Sequence, residues 1–485
     1  MIFLYKTTWI RPALCLPVVL SVLVLSGCAT VGLDYVPPAT SVSATWHTGL
    51  KGGLTIDENG PQGLAAWWTL FNDQELSSLV NRAVAGNLDL KKARARVREA
   101  RARRGVAKAD LFPTLEATAT GSRGRNSETV GTVMTSDLYA VGFDAGWELD
   151  IFGGVLRSVE AAEATLQASQ EDWRDVLVSL LAEVALNYGD VRTYQARIAV
   201  AEANLKSQDE TWRLTSWRYQ AGLSDELAVQ QSRYNLENTR SQIPPLRIGL
   251  EEAMNRIAVL LGEQPGRVHA ELEKQEPIPV TSLKVAVGVP ADILRRRPDV
   301  RKAERSLAAQ TAKIGVATAD LYPKLKLTGS IGLEALSLNN LLSAGSQNYS
   351  FGPSITWPLF SGGAIRQNIE VQSALQEQSL IAYEAAVFKA LEEVENAITA
   401  YAEEQYRRQS LRDAAGAAKQ AAELTQGKYE GGLTDFSHVL EAQRSLLSFQ
   451  DQLTQSDGKV TSNLIRLYKA LGGGWTSLAA GDEKK

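Results

Sequence analysis

A chain of 485 residues is long enough for several domains, and its composition of 22% charged and 7% aromatic residues with only 16 prolines suits extended helices. The formal charge of −4 gives no overall basic surface for tracking a nucleic-acid backbone, so the Arg-rich stretch 91–104 reads as a solvated helix face. Enzyme chemistry is poorly served: His47, His269 and His438 are isolated in sequence, no HExxH, GxSxG or Walker-type loop occurs, and no His-rich or Met-rich tract suggests a metal or other cofactor.

The N-terminus places Lys6 and Arg11 ahead of an apolar stretch from Ala13 to Leu25, the pattern of a secretory leader and too short for a comfortable membrane span. Ser26 and Gly27 before Cys28 resemble the bacterial lipobox. That resemblance implies removal of residues 1–27 and attachment of a diacylglycerol thioether and an N-acyl chain to Cys28. Cys15 leaves with the leader, so the mature chain has one cysteine and no disulfide. In lipoproteins, Ala29 rather than an aspartate after the cysteine implies sorting to the outer membrane. Residues 28–75, rich in Gly, Pro, Ser and Thr as far as about residue 63, read as an extended tether.

Beyond the tether the chain echoes itself. "GVAKADLFPTL" at 105–115 returns as "GVATADLYPKL" at 315–325, identical at eight of eleven positions and 210 residues later. "RYQAGLSDEL" (218–227) and "KYEGGLTDFS" (428–437) stand at the same offset. One unit therefore occurs twice, at 76–262 and 291–473, with a Pro-containing connector at 263–290 and a polar tail at 474–485.

Each unit is expected to begin with a helix of about 30 residues that Pro113 or Pro323 ends. Strands follow. Leu325, Leu327, Ile331 and Leu333 alternate with Lys324, Lys326, Thr328 and Ser330, a period of two. In the next strand Tyr139, Val141, Phe143, Ala145 and Trp147 alternate with small or polar residues, and Tyr349, Phe351, Pro353, Ile355 and Trp357 repeat the design. Tyr139 and Trp147, like Tyr349 and Trp357, lie eight residues apart, about 26 Å along a strand, which matches the aromatic girdles of a membrane barrel. The small polar residues on the other face argue against a packed soluble sandwich, whose core wants bulk there.

Four strands cannot close a barrel and eight leave a filled interior, so the smallest open pore takes three copies and twelve strands. Proline-free helical stretches at about 158–220 and 364–428 come next, long enough to need similar neighbours. Gly222 and Gly432 fit left-handed caps, Ser224 and Thr434 are expected to cap the returning helices, and Pro244–Pro245 are expected to interrupt the first return. The residues ask for a homotrimer with four strands per chain and a long helical hairpin in each unit.

With the lipobox, "WWTLFNDQELSSLV" (67–80), "ILRRRPDVRKAE" (293–304), "WPLFSGG" (357–363) and "VLEAQRSLL" (439–447), the mature chain resembles the TolC-type outer-membrane factors. More narrowly it resembles the NodT lipoprotein branch that serves resistance-nodulation-division efflux pumps. The resemblance implies the full fold, a homotrimeric 12-stranded outer-membrane β-barrel continuous with a long α-helical barrel of coiled-coil hairpins. It also implies a passive exit duct for small toxic compounds, joined to a periplasmic adaptor and an inner-membrane proton-coupled transporter. Gly222, Leu223, Ser224, Gly432, Leu433 and Thr434 match the family's adaptor-docking turns, and His438 and Glu441 match positions that ring its periplasmic aperture. A Type I protein-secretion outlet and a metal-efflux duct share the fold, and a coiled-coil lipoprotein or adhesin without a channel is the rival class. The girdled strands favour a channel, and the lipobox and "RRRPDV" favour the drug-efflux branch.

Overall fold

A computed structural model of the chain describes residues 30–39, 42–56, 64–127, 129, 134–279 and 285–476; the leader, Cys28 and the last residues of the tail lie outside the described residues. In chain order it contains β1 (Leu54–Ile56), a 3-10 helix (Leu64–Phe71), α1 (Gln74–Gly86), α2 (Leu88–Ala109), β2 (Thr114–Arg125) and β3 (Thr135–Leu149). Next come α3 (Gly154–Gln220), α4 (Glu226–Leu261), α5 (His269–Leu272), β4 (Val285–Val287), α6 (Pro290–Arg296) and α7 (Pro298–Ala319). The chain ends with β5 (Lys324–Ala335), β6 (Gln347–Thr356), α8 (Ala364–Glu430) and α9 (Phe436–Ala470). The elements divide between two compact units.

The first unit takes in the chain up to Pro38, Arg98–Ala168 and Glu304–Ala382. Its sheet has the order β2-β3-β5-β6, antiparallel throughout. Helix bonding stops just before each proline, where Phe112 N–H donates to Ala109 and Tyr322 N–H to Ala319, and the chain enters a strand directly. Two indoles fix this junction. Trp147 Nε1 donates to the Leu111 carbonyl and Trp357 Nε1 to the Leu321 carbonyl, each at 3.0 Å and 210 residues apart. Trp357 stands one residue beyond the end of β6 rather than within it.

Beside the sheet, Arg104 of α2 pairs with Glu163 of α3, Ala164 of α3 packs on Ala308 and Ala309 of α7, and Gln310 of α7 donates to Gln372 of α8. The lateral order α2-α3-α7-α8 thus follows the order of the strands. The tether crosses this unit as a strap. Val31 N–H donates to the Phe152 carbonyl, and buried Arg157 holds Asp34 and the Val31 carbonyl. Gly32, at φ +94°, lies so close to Gly315 that a Cβ there would come 2.5 Å from the Gly315 Cα.

The second unit comprises Ala39–Val97, Ser169–Ala303 and Tyr383–Lys485 and holds the main hydrophobic core. Trp67, stacked on Tyr468 at 5.5 Å, Phe71, Leu79, Leu181, Ile257 and Leu464 fill it. Most of the stability of this unit comes from such burial, about 1.5–3 kcal/mol for each large apolar side chain. Here the tether is no longer featureless: β1 pairs in parallel with β4, and the Glu395 carboxylate accepts from His47 N–H at 2.7 Å and Thr48 N–H at 3.0 Å.

Three local expectations need correction. The expected single lead helix is two in each half, broken at Asn87 and at Arg297, where the backbone turns extended, at Arg297 because Pro298 follows, and each of these side chains reaches a carbonyl of the returning helix. Asn87 donates to Leu260 at 2.8 Å and caps Leu90 N–H; Arg297 donates to Ala470 at 3.0 Å, again at the 210-residue offset. Pro244 and Pro245 do not interrupt α4, since both face solvent while Ile243 and Leu246 beside them stay packed on Ala201. Ser224 and Thr434 are not the caps: Asp225 accepts from Ala228 N–H at 2.8 Å, and Asp435 takes the matching place with no side-chain cap bond.

Candidate functional site

The sheet of the first unit has two chemically distinct faces, and the register decides which residues share them. On one face Ala117, Phe143 and Ile331 line up across β2, β3 and β5, as do Ala119, Val141 and Leu333, with Tyr349 beside Ile331 on β6. Phe143, Ile331, Tyr349, Phe351 and Ile355 are all exposed. On the other face the rows read Thr114, Gly146, Thr328, Gly352 and Glu116, Asp144, Ser330, Ser350. Thr118 Oγ1 donates to Asp144 there, and Lys326 lies 3.5 Å from Glu148.

An exposed apolar face opposite a wet one is what a strand layer between lipid and water requires. Tyr139 and Trp147, expected to form a girdle, lie on the apolar face of β3, and Tyr349 and Trp357 on the corresponding side of β6 and its end. No helix among the described residues is long and apolar enough to cross a membrane, which says nothing about the strands. Among the described residues β2 and β6 are edges with no further strand beside them.

In the second unit the helix-ending turns of α3 and α8 share one geometry. Gly222 and Gly432 both take φ +71°, and the Leu223 and Leu433 N–H groups donate at 2.8 Å to Arg218 and Lys428 respectively, the six-to-one bond of a Schellman turn. The left-handed conformation explains both glycines without reference to a partner. Leu223 and Leu433 occupy the position after the glycine that a Schellman turn often fills with an apolar residue, yet both leave most of their surface exposed at the turns. His438 and Glu441, one turn apart on α9, are both exposed, whereas Val439 and Leu440 between them are buried with Phe436 and Tyr429. This is the amphipathic placement expected of residues facing a lumen, and equally of a solvated helix face.

Missed by sequence reasoning is the ionic cluster around Arg297. Its guanidinium, 8% exposed, donates to Asp299 at 2.6 and 2.9 Å and to Glu393 at 2.6 Å. Burial works to raise the Asp299 pKa, but the Arg297 hydrogen bonds and charge outweigh it and hold the carboxyl below its ordinary value. Glu395 is likewise held low by the Thr48 and His47 donors against the effect of burial. Only Pro298, after three arginines, hinted at a special site here. No group of three or more His, Cys, Asp or Glu among the described residues is placed to hold a metal ion.

The comparisons with known proteins agree with this geometry. The family model described as "Outer membrane efflux protein" matches residues 79–263 and again 289–473. Nodulation protein T of Rhizobium leguminosarum bv. trifolii is 34% identical over 460 residues, covering 94% of this chain and 97% of that protein. The solvent efflux pump outer membrane protein SrpC of Pseudomonas putida is 32% identical over 461 residues, with 94% and 97% coverage. Among solved structures, the outer-membrane channel OprN superposes with a TM-score of 0.87 at 36% identity, covering 92% of this chain and all of that one.

Proposed function

We propose, from the premise that this chain belongs to the outer membrane efflux protein family, that three copies close head to tail into one duct. As the outer-membrane component of an efflux pump, the chain carries solutes outward. In the proposed trimer the free edge of β6 pairs with β2 of the next copy, giving twelve strands with the apolar face toward lipid and the polar face toward water. The long helices, 67 residues each for α3 and α8, or about 100 Å at the helical rise, line the periplasmic passage. Cys28 carries the lipid anchor, Leu223 and Leu433 present the turns to a periplasmic adaptor, and His438 and Glu441 face the aperture. An inner-membrane resistance-nodulation-division transporter supplies the driving force, and the cargo is a small toxic organic compound.

One observation supports ring closure above the others. Ala161 of α3 and Val316 of α7 line a common cavity, and Ala161 is only 6% exposed. Their counterparts 210 residues away are Val371 of α8 and Val106 of α2, which are 52% and 68% exposed. The packing that covers Ala161 within the chain is thus missing at the counterpart positions, and a second copy supplies it. Val106→Cys with Val371→Cys is expected to give interchain disulfides in a ladder that stops at three chains. Absence of interchain bonding, or a ladder ending at another number, would count against the trimer.

A further inference from the structure

The polar face of the sheet changes character at the end remote from Trp147 and Trp357. From Thr114 to Ser122 on β2, Glu148 to Ala140 on β3 and Lys324 to Glu334 on β5, every side chain on that face is small, hydroxylated or charged. The next position reverses the chemistry. Leu138 pairs with Ser122, and one step beyond the last pair, Tyr139 with Ala335, the antiparallel register sets Leu138 across from Leu336. Both leucines are exposed. Nine residues separate Leu327, opposite Trp147, from Leu336, about 30 Å of strand, so the pair lies across the apolar band from the helices.

The chain then enters residues 337–346, which are folded rather than loose. Ser346, buried, donates through Oγ to the Asn340 carbonyl at 2.6 Å, and its N–H donates to Ser343. This hydrogen-bonded loop holds two further leucines out to water: Leu338 and Leu342, the latter 85% exposed. No charged side chain occurs between Glu334 and Arg366. The loop therefore has nothing with which to meet ionic lipid headgroups, yet it exposes apolar surface, and by the alternation of β5 its first leucine, Leu336, falls on the polar face of the sheet.

We propose that Leu138, Leu336, Leu338 and Leu342 form an apolar cap over the outer mouth of the duct, each loop packing on the same loop of the other two copies. The proposal rests on the trimeric duct reading above. Burying each leucine against its copies recovers part of the free energy lost by its exposure and closes the mouth at rest with a device that opens without breaking any ion pair. Apolar cargo arriving from inside can wet this plug and part it; ions meet a dry barrier.

Intact cells expressing Leu342→Cys are expected to show interchain disulfide dimers on non-reducing gels. Leu336→Cys should react with a membrane-impermeant maleimide at least about tenfold more slowly than Ser127→Cys on the first outer loop, and Leu338→Ser with Leu342→Ser should remove that protection. If the Leu342→Cys chain stays monomeric and the Leu336→Cys chain labels at the Ser127→Cys rate, while Val106→Cys with Val371→Cys still bonds between chains, the cap is wrong and the duct reading survives. If the Val106–Val371 pair also fails, the duct reading falls with it.

Discussion

Arg297 offers the sharpest test of how this chain is held together. Its side chain is 8% exposed, against 30% for Asp299 and 41% for Glu393, and its guanidinium joins the α6–α7 break to both α8 and the end of α9. Removing one partner of a buried ion pair costs about 3–5 kcal/mol because the other charge is stranded. Here the stranded carboxylates can regain water, so Arg297→Met is expected to cost about 2–3 kcal/mol and Arg297→Lys, which keeps the charge but loses the fork, about half of that. The neighbouring Arg295 is exposed and only 4.0 Å from Asp292, so Arg295→Met should cost no more than about 0.5 kcal/mol. The assay is thermal unfolding of the detergent-purified protein at neutral pH. Because Arg297 depresses the Asp299 pKa, that stabilisation is present above the ordinary value of 3.8 and is lost as pH falls through the depressed one. Arg297→Met should therefore also lose less stability than the parent on acidification. Equal melting of Arg297→Met and the parent, or an equal loss from Arg295→Met, would refute the reasoning.

Leu223→Asp combined with Leu433→Asp is expected to abolish drug resistance while leaving trimer in the outer membrane; unchanged susceptibility would remove the docking assignment. In planar bilayers, Glu441→Ala should weaken cation preference and His438→Ala should change the single-channel conductance. If neither quantity moves, these residues do not face the aperture. Glu395→Gln weakens the grip on His47 and Thr48 by about 1–2 kcal/mol and should speed tryptic cleavage after Lys51. Since Glu395 is held low, the grip is present above 4.5 and fades as pH falls through the depressed value, so the parent should approach the variant's cleavage rate in acid.

Periodicity made the strands legible because a sheet wet on one side and greasy on the other needs strict alternation, and β3 and β5 supply it. The turns were legible because Gly222 and Gly432 meet a backbone requirement few other residues meet. What escaped were residues whose role lies far along the chain. Asn87 and Arg297 sit inside helix-like runs, and nothing local announces that each reaches a carbonyl 173 residues away. Pro244–Pro245 misled in the opposite sense: the local rule against proline in a helix is real, but two prolines on the solvent side cost less than unpacking Ile243 and Leu246.

The pair that first exposed the repeat shows where likeness ends. Gly105 and Gly315 occupy the same place in two nearly identical segments, yet Gly32 of the strap lies against Gly315, while a Cβ at Gly105 would meet nothing within 4 Å. Val106 and Val316, next to them, differ in the same sense, one exposed and one half-buried beside a cavity. A single N-terminal strap and a single internal junction cannot serve two equal halves. The sequence similarity describes what both halves do to make strands and helices, and the unequal burial of matching residues marks where the proposed trimer seats its next copy.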